Sequence, residues 1–126
     1  MLTDLLDKAK AASANAYAPY SGFNVGAALL AVDGRTFLGC NVENASYSLT
    51  ICAERNALFH AVSEGVREFE AVAVYVDSDN DFPPCGACRQ VLSEFGPSLA
   101  VIYGNRNGYK VSDLKTLLPG AFSLRK

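Results

Sequence analysis

Two short cysteine-bearing segments, Cys52-Ala53-Glu54 and Pro84-Cys85-Gly86-Ala87-Cys88, place the tightest restriction on how this chain can fold. Each stands where an extended or loop stretch gives way to helical spacing, so each falls at a predicted helix N-terminus. Unpaired N–H groups and the helix dipole favour anions there, which promotes thiolate formation. Cys85 and Cys88 are three apart and share one face of a first helical turn. Cys52 and Glu54 would point to nearly opposite sides in mid-helix, but at a first turn both reach a site beyond the helix end. A fold that uses the three thiols together must bring two distant helix starts to one point.

The hydrophobic pattern supplies the elements to do so. Leu2 to Ser13 predicts a short amphipathic helix, capped by Thr3 or Asp4 and ended in the region Asn15 to Pro19. Phe23 to Asn41 predicts a β-hairpin around Asp33-Gly34, a dipeptide suited to a tight turn. Glu43 to Thr50 is a polar loop, and Ile51 to Glu64 has helical spacing with Gly65 as its stop. Ala71 to Val76 is a buried strand, and Asp77 to Pro84 is a loop. Pro84 opens a helix through about Phe95, which Gly96-Pro97 ends. Leu99 to Tyr103 is a further strand, Asn105 to Gly108 a turn, and Tyr109 to Val111 a short edge strand. Ser112 caps a final helix that Pro119-Gly120 closes. Alternation of helices and strands after the hairpin predicts the α/β class: a three-layer α/β/α sandwich around a five-stranded mixed sheet. With 126 residues, one domain spanning 1–126 is expected.

Composition narrows the partners. A net charge of -2 gives no electrostatic pull on phosphate backbones, so a nucleic-acid partner is disfavoured, while an uncharged small molecule is not. The stretch Met1 to Lys10 lacks the continuous apolar centre of a secretory signal. The longest apolar run, Val25 to Val32, is far short of the roughly 20 residues that span a membrane. The expectation is a cytoplasmic protein without a membrane partner, in which the four cysteines serve as metal ligands or catalytic groups rather than disulfides.

Three thiolates and one open position are how a catalytic zinc is held, because a fourth protein ligand would leave no place for water. Glu54 has the chemistry to shuttle a proton between that water and a substrate. Cysteine ligands of this spacing with a non-ligand glutamate form the zinc deaminase signature. Zn²⁺ with three thiolates carries net negative charge, and Arg55 is placed to offset it by hydrogen bonding to the sulfurs, although a surface arginine is the plainer reading. Two other readings compete. Pro-Cys85-Gly-Ala-Cys88 after a strand also fits a thioredoxin-like dithiol, which leaves Cys52-Ala-Glu54 unexplained. Cys40 joined to the other three would close a structural four-cysteine zinc site. His60 lies two turns into its helix and reads as a packing or surface residue.

With these residues in view, the chain resembles the small homotetrameric zinc-dependent cytidine deaminases over nearly its whole length. The resemblance is carried by Tyr17-Ala-Pro-Tyr-Ser-Gly-Phe-Asn-Val-Gly-Ala-Ala, Gly39-Cys-Asn-Val-Glu-Asn-Ala-Ser-Tyr, Cys52-Ala-Glu-Arg-Asn-Ala, Pro84-Cys-Gly-Ala-Cys-Arg-Gln-Val-Leu and Leu117-Leu-Pro-Gly-Ala-Phe122. It implies one zinc per subunit on Cys52, Cys85 and Cys88, with Glu54 transferring protons, and Cys40 as a small core residue. It implies hydrolysis of free cytidine and deoxycytidine to uridine and deoxyuridine, a pyrimidine salvage reaction. It assigns Asn41 and Glu43 to the ribose, where the residues alone leave a sugar clamp and a hydrogen-bonded turn equally open. It sets Phe23 against the pyrimidine, with backbone groups of Ala53 and the Cys85 region reading the base edge. Tyr47 and Phe122 from neighbouring subunits would complete each site, so activity would need the homotetramer. Blasticidin S deaminases share the zinc signature and stand as the alternative; the Asn41-x-Glu43 pair favours ordinary nucleosides.

Overall fold

The computed structural model describes residues 2–80 and 82–124. Helix α1 spans Leu2–Ser13, followed by β1 (Val25–Ala31), β2 (Thr36–Cys40), a 3₁₀ turn at Tyr47–Leu49, α2 (Ala53–Ser63), β3 (Phe69–Val76), α3 (Gly86–Ser93), β4 (Ala100–Asn105), β5 (Gly108–Asp113) and α4 (Leu114–Leu117). The strands form one mixed sheet in the order β2-β1-β3-β4-β5, parallel between β3 and β4 and antiparallel elsewhere.

The apolar runs of β1 and β3 lie mid-sheet and are covered on both faces, which is why they read as continuous rather than alternating. Side chains nevertheless divide by parity. Ala27, Leu29, Val72, Val74 and Val101 face the layer of α2 and α3, where Ala57, Leu58, Ala61 and Leu92 meet them. Ala28, Ala71, Ala73, Tyr75 and Ile102 face α1, against Leu5 and Ala9. The expected three layers are therefore present, one of them a single helix. Among the described residues, no helix is long and apolar enough to cross a membrane.

The hairpin turns at Asp33-Gly34 as expected: Gly34 has φ +93°, a region open to glycine, and Asp33 accepts hydrogen bonds from Arg35. Other boundaries shift for identifiable reasons. Thr3 and Asp4 lie inside α1, which begins at Leu2; residue 1 is outside the described residues. Ile51 is extended and bridged to Val42, so α2 begins two residues later with Cys52 as its N-cap. Likewise Cys85, not Pro84, stands at the start of α3, which stops at Ser93 before Phe95. β3 starts at Phe69, whose ring meets Phe95 edge-on. Ser112 pairs with Val101 in the ladder, leaving Asp113 to cap α4 by accepting from the Thr116 N–H at 2.7 Å.

Candidate active site

Both cysteine segments are placed by backbone pairing. Past β2 the chain stays extended through residues 41–43 and is held on both sides. Tyr17 N donates to Asn41 O and Glu43 N to Tyr17 O, while Val42 and Ile51 exchange bonds of 3.0 Å. Ile51 thereby fixes where Cys52 begins α2. β3 ends in mid-sheet at Val76, and the chain returns as α3 with Cys85 at its head. Both N-cap cysteines have extended backbone, φ -71° and ψ 156° at Cys52, φ -65° and ψ 164° at Cys85. Cys88 is buried one turn into α3.

The three sulfurs converge within 4.8 Å of one another, and those of Cys52 and Cys85 are 3.8 Å apart. That is far beyond a disulfide bond of about 2.05 Å. It matches the edge of a tetrahedron around zinc, about 3.8 Å for Zn–S bonds of ~2.3 Å. Among the described residues the group contains these three side chains and no fourth ligand. Cys40 lies outside it at the end of β2, its carbonyl accepting from Asn56. The donor set therefore suits a zinc ion with one position left for a small ligand, and it does not form the closed four-cysteine module.

The closeness of the three sulfurs couples their protonation. A hydrogen bond from Cys88 lowers the Cys52 thiol to about 5, aided by Arg55 and Cys85 against the opposing effect of burial. Cys88, which gives that hydrogen bond, is pushed up by it and by burial. Arg55 Nη2 donates to Cys52 Sγ at 3.4 Å. Glu54 is only 4% exposed, and burial raises its carboxyl to about 7, with the Cys52 charge adding to the effect.

Cys52, Ala53, Glu54 and Cys85 line a cavity of about 260 Å³. Phe23, Phe82, Pro83, Val74 and Val76 form its apolar wall, with the Phe23 and Phe82 ring centroids 5.1 Å apart. Asn41, Glu43, Ser21 and Thr50 supply polar groups. An apolar slot with a few polar groups and a metal-binding cluster in its wall is suited to a small polar heterocycle.

The family model described as "Cytidine and deoxycytidylate deaminase zinc-binding region" matches residues 2–104. The chain belongs to this family. It is similar to the cytidine deaminase of Sporosarcina psychrophila, 53% identical over 94% of this chain and 89% of that protein. That of Halalkalibacterium halodurans is 52% identical over 94% of this chain and 92% of that one. A crystal structure of cytidine deaminase from Burkholderia pseudomallei superposes with a TM-score of 0.92 at 52% identity, covering 97% of this chain and 99% of the other.

Within this deaminase-family site, the residues named from the sequence divide by position. Phe23, Asn41, Glu43, Ala53 and Glu54 meet at the cavity. Tyr47 does not: it is 75% exposed and borders a neighbouring depression with Tyr20. Phe122 is 69% exposed and outside the cavity lining, its carbonyl accepting from Gln90 of α3. His60 lies in the last turn of α2 with its ring against Phe37, away from the sulfurs.

Asn41 and Glu43 also hold the loop before β1. Asn41 Nδ2 donates to Phe23 O at 2.8 Å and its Oδ1 accepts from Val25 N at 2.9 Å. Glu43 accepts from the Tyr20 and Ser21 N–H groups and from the Ser21 hydroxyl, which hold its carboxyl below the usual range. The hydrogen-bonded reading of the pair is therefore present, and the same bonds keep both residues in the cavity lining. Sequence reasoning missed Phe82, Pro83, Ser21 and Thr50. The Phe82-Pro83-Pro84 run directly before Cys85 was the available signal, because residues so close to a ligand cannot lie far from the site.

Proposed function

We propose that this chain hydrolyses free cytidine and deoxycytidine to uridine and deoxyuridine, releasing ammonia, as a step of pyrimidine salvage. The observation that carries the reading is the open three-sulfur cluster beside buried Glu54 at a cavity of about 260 Å³. Cytidine deaminases at 53% and 52% identity support the choice of substrate.

Bound at the three sulfurs, zinc supplies the Lewis acidity that makes a water nucleophilic near neutral pH. Glu54 accepts a proton from the attacking water and delivers it to ring N3, which makes C4 electrophilic. Oxygen adds to C4, and Glu54 then carries the second proton to the amino group. The C4–N bond breaks as C4=O forms, and ammonia leaves. A carboxyl raised to about 7 can both take and return a proton at neutral pH. Phe23 holds the base plane, backbone groups of Ala53 and the Cys85 region read its edge, and Asn41 and Glu43 take the sugar hydroxyls. Arg55 offsets the charge of the thiolates.

Residues 1–126 act as one catalytic domain of a cytoplasmic homotetramer. Tyr47 and Phe122 stand exposed and outside the lining of their own cavity, which supports their use in a neighbour's site. The net charge of -2 gives no support to a polynucleotide substrate.

The test is zinc content measured together with ammonia release from cytidine, deoxycytidine, cytosine and blasticidin S. One zinc per chain and turnover of both nucleosides above cytosine and blasticidin S are expected. Absence of zinc, or preference for blasticidin S, overturns the reading.

A further inference from the structure

Ser21 lines both the cavity and the neighbouring depression, and its hydroxyl joins two features of the site. Ser21 Oγ accepts from the Phe23 N–H at 3.1 Å, which leaves its own proton for Glu43 Oε2. The other carboxylate oxygen, Oε1, accepts from the Tyr20 and Ser21 N–H groups, both at 3.0 Å. These two donors converge because the chain turns at Gly22, whose φ of +75° is in the glycine region and whose N–H bonds to Ala18 O. A carboxylate has about four lone-pair sites, so three are engaged and roughly one remains for a ligand.

We infer that Ser21 is a positioning residue for substrate binding, its hydroxyl fixing the rotation of the Glu43 carboxylate so that the remaining lone pair meets a sugar hydroxyl. The inference rests on the proposed role of Glu43 toward the sugar. The two N–H donors grip a single oxygen and leave the carboxylate free to pivot about it. The hydroxyl is the only side chain among the described residues that holds Oε2, and through Phe23 N it ties that oxygen to the aromatic wall. Among the described residues the Ser21 hydroxyl bonds to Glu43 and Phe23 and not to Glu54 or the three cysteines, so binding of the nucleoside depends on Ser21 while the proton transfers do not.

The test compares Ser21→Ala, Ser21→Thr, Glu43→Gln and Ser21→Ala/Glu43→Gln with cytidine as substrate, as zinc-loaded protein. Ser21→Ala is expected to raise KM roughly ten-fold, with kcat changed far less. Ser21→Thr, which keeps the hydroxyl, is expected to restore most of that loss. In the Glu43→Gln background, Ser21→Ala should add little, because the group it orients is already altered. An equal KM increase in both backgrounds overturns the role of Ser21, as does a threonine variant no better than alanine. A normal KM in Glu43→Gln alone overturns the sugar contact itself, and loss of all turnover in the unmodified chain overturns the proposed activity.

Discussion

Arg55 Nη2 lies 3.4 Å from Cys52 Sγ, so the residue that follows the buried glutamate folds back onto the ligand that precedes it. Its Nε is buried with no hydrogen-bond partner among the described residues, a cost that a purely superficial arginine would avoid by turning to water. The hydrogen bond to Cys52 holds the guanidinium there and raises its affinity for its proton. Replacing Arg55 by Gln leaves the three sulfurs in place and removes the positive charge. Turnover of cytidine is expected to fall roughly 10–100-fold while zinc content stays near one per chain. Metal analysis beside steady-state kinetics checks this, and unchanged kcat would return Arg55 to a packing role.

Glu54 sits at 4% exposure beside a zinc-binding cluster of which it is not a member. Glutamine has nearly the same shape and keeps the helix start intact, yet it cannot accept and return a proton. Glu54→Gln is expected to retain zinc and the fold and to lose roughly 10³-fold or more in kcat. Single-turnover kinetics on the zinc-loaded variant is the measurement. Near-normal turnover would remove Glu54 from the proton path.

Much of this was legible because local signals and the global fold agree. Cys52 could be placed at a helix start from the helical spacing after the polar loop, Cys85 from Pro84 as a helix opener, and the Asp33-Gly34 turn from its dipeptide. Their meeting in space was not legible from spacing, since it depends on β3 lying mid-sheet and on the pairing of Val42 with Ile51. The cap of α4 was misread as Ser112 because serine and aspartate have similar cap preferences, and only the β4–β5 register decides between them. Asn41 and Glu43 showed the right residue types, but the partners that hold them, Ser21, Phe23 and the first residue of β1, Val25, lie in and just after a loop whose geometry leaves no periodic trace.

Arg89 links the metal loop to the C-terminal segment. Its Nε donates to Pro84 O at 2.7 Å and its Nη1 to Leu117 O at 2.8 Å, so one guanidinium braces the residue before Cys85 against the end of α4. Arg89→Met keeps the apolar stem and removes both donors. A loss of about 2–4 kcal/mol in stability is expected from two charge-assisted bonds. Release of zinc to a colorimetric chelator should also be faster than from the unmodified protein. Denaturant melts of the zinc-loaded protein and the chelator time course check the two effects separately, and an unchanged pair of results would show that water replaces the guanidinium at no cost.

Gly39 sets how closely α2 can approach the sheet. A Cβ built there would stand 2.4 Å from Ala57 N and 2.5 Å from Ala53 O, both backbone atoms of α2 that cannot rotate away. The helix that carries Ala53 and Glu54 therefore rests on β2 through a position with no side chain, in the same way that α1 rests on Gly26. Gly39→Ala must push α2 outward, and the displacement carries Cys52 away from Cys85 and Cys88 on α3. A destabilisation of about 3 kcal/mol or more is expected, at the upper end of overpacking costs. Because the shift opens the sulfur triangle, any folded fraction should also bind zinc more weakly. Thermal melts and zinc stoichiometry of the refolded variant measure both, and a stable Gly39→Ala protein with full zinc would show that α2 has room the close backbone contact denies.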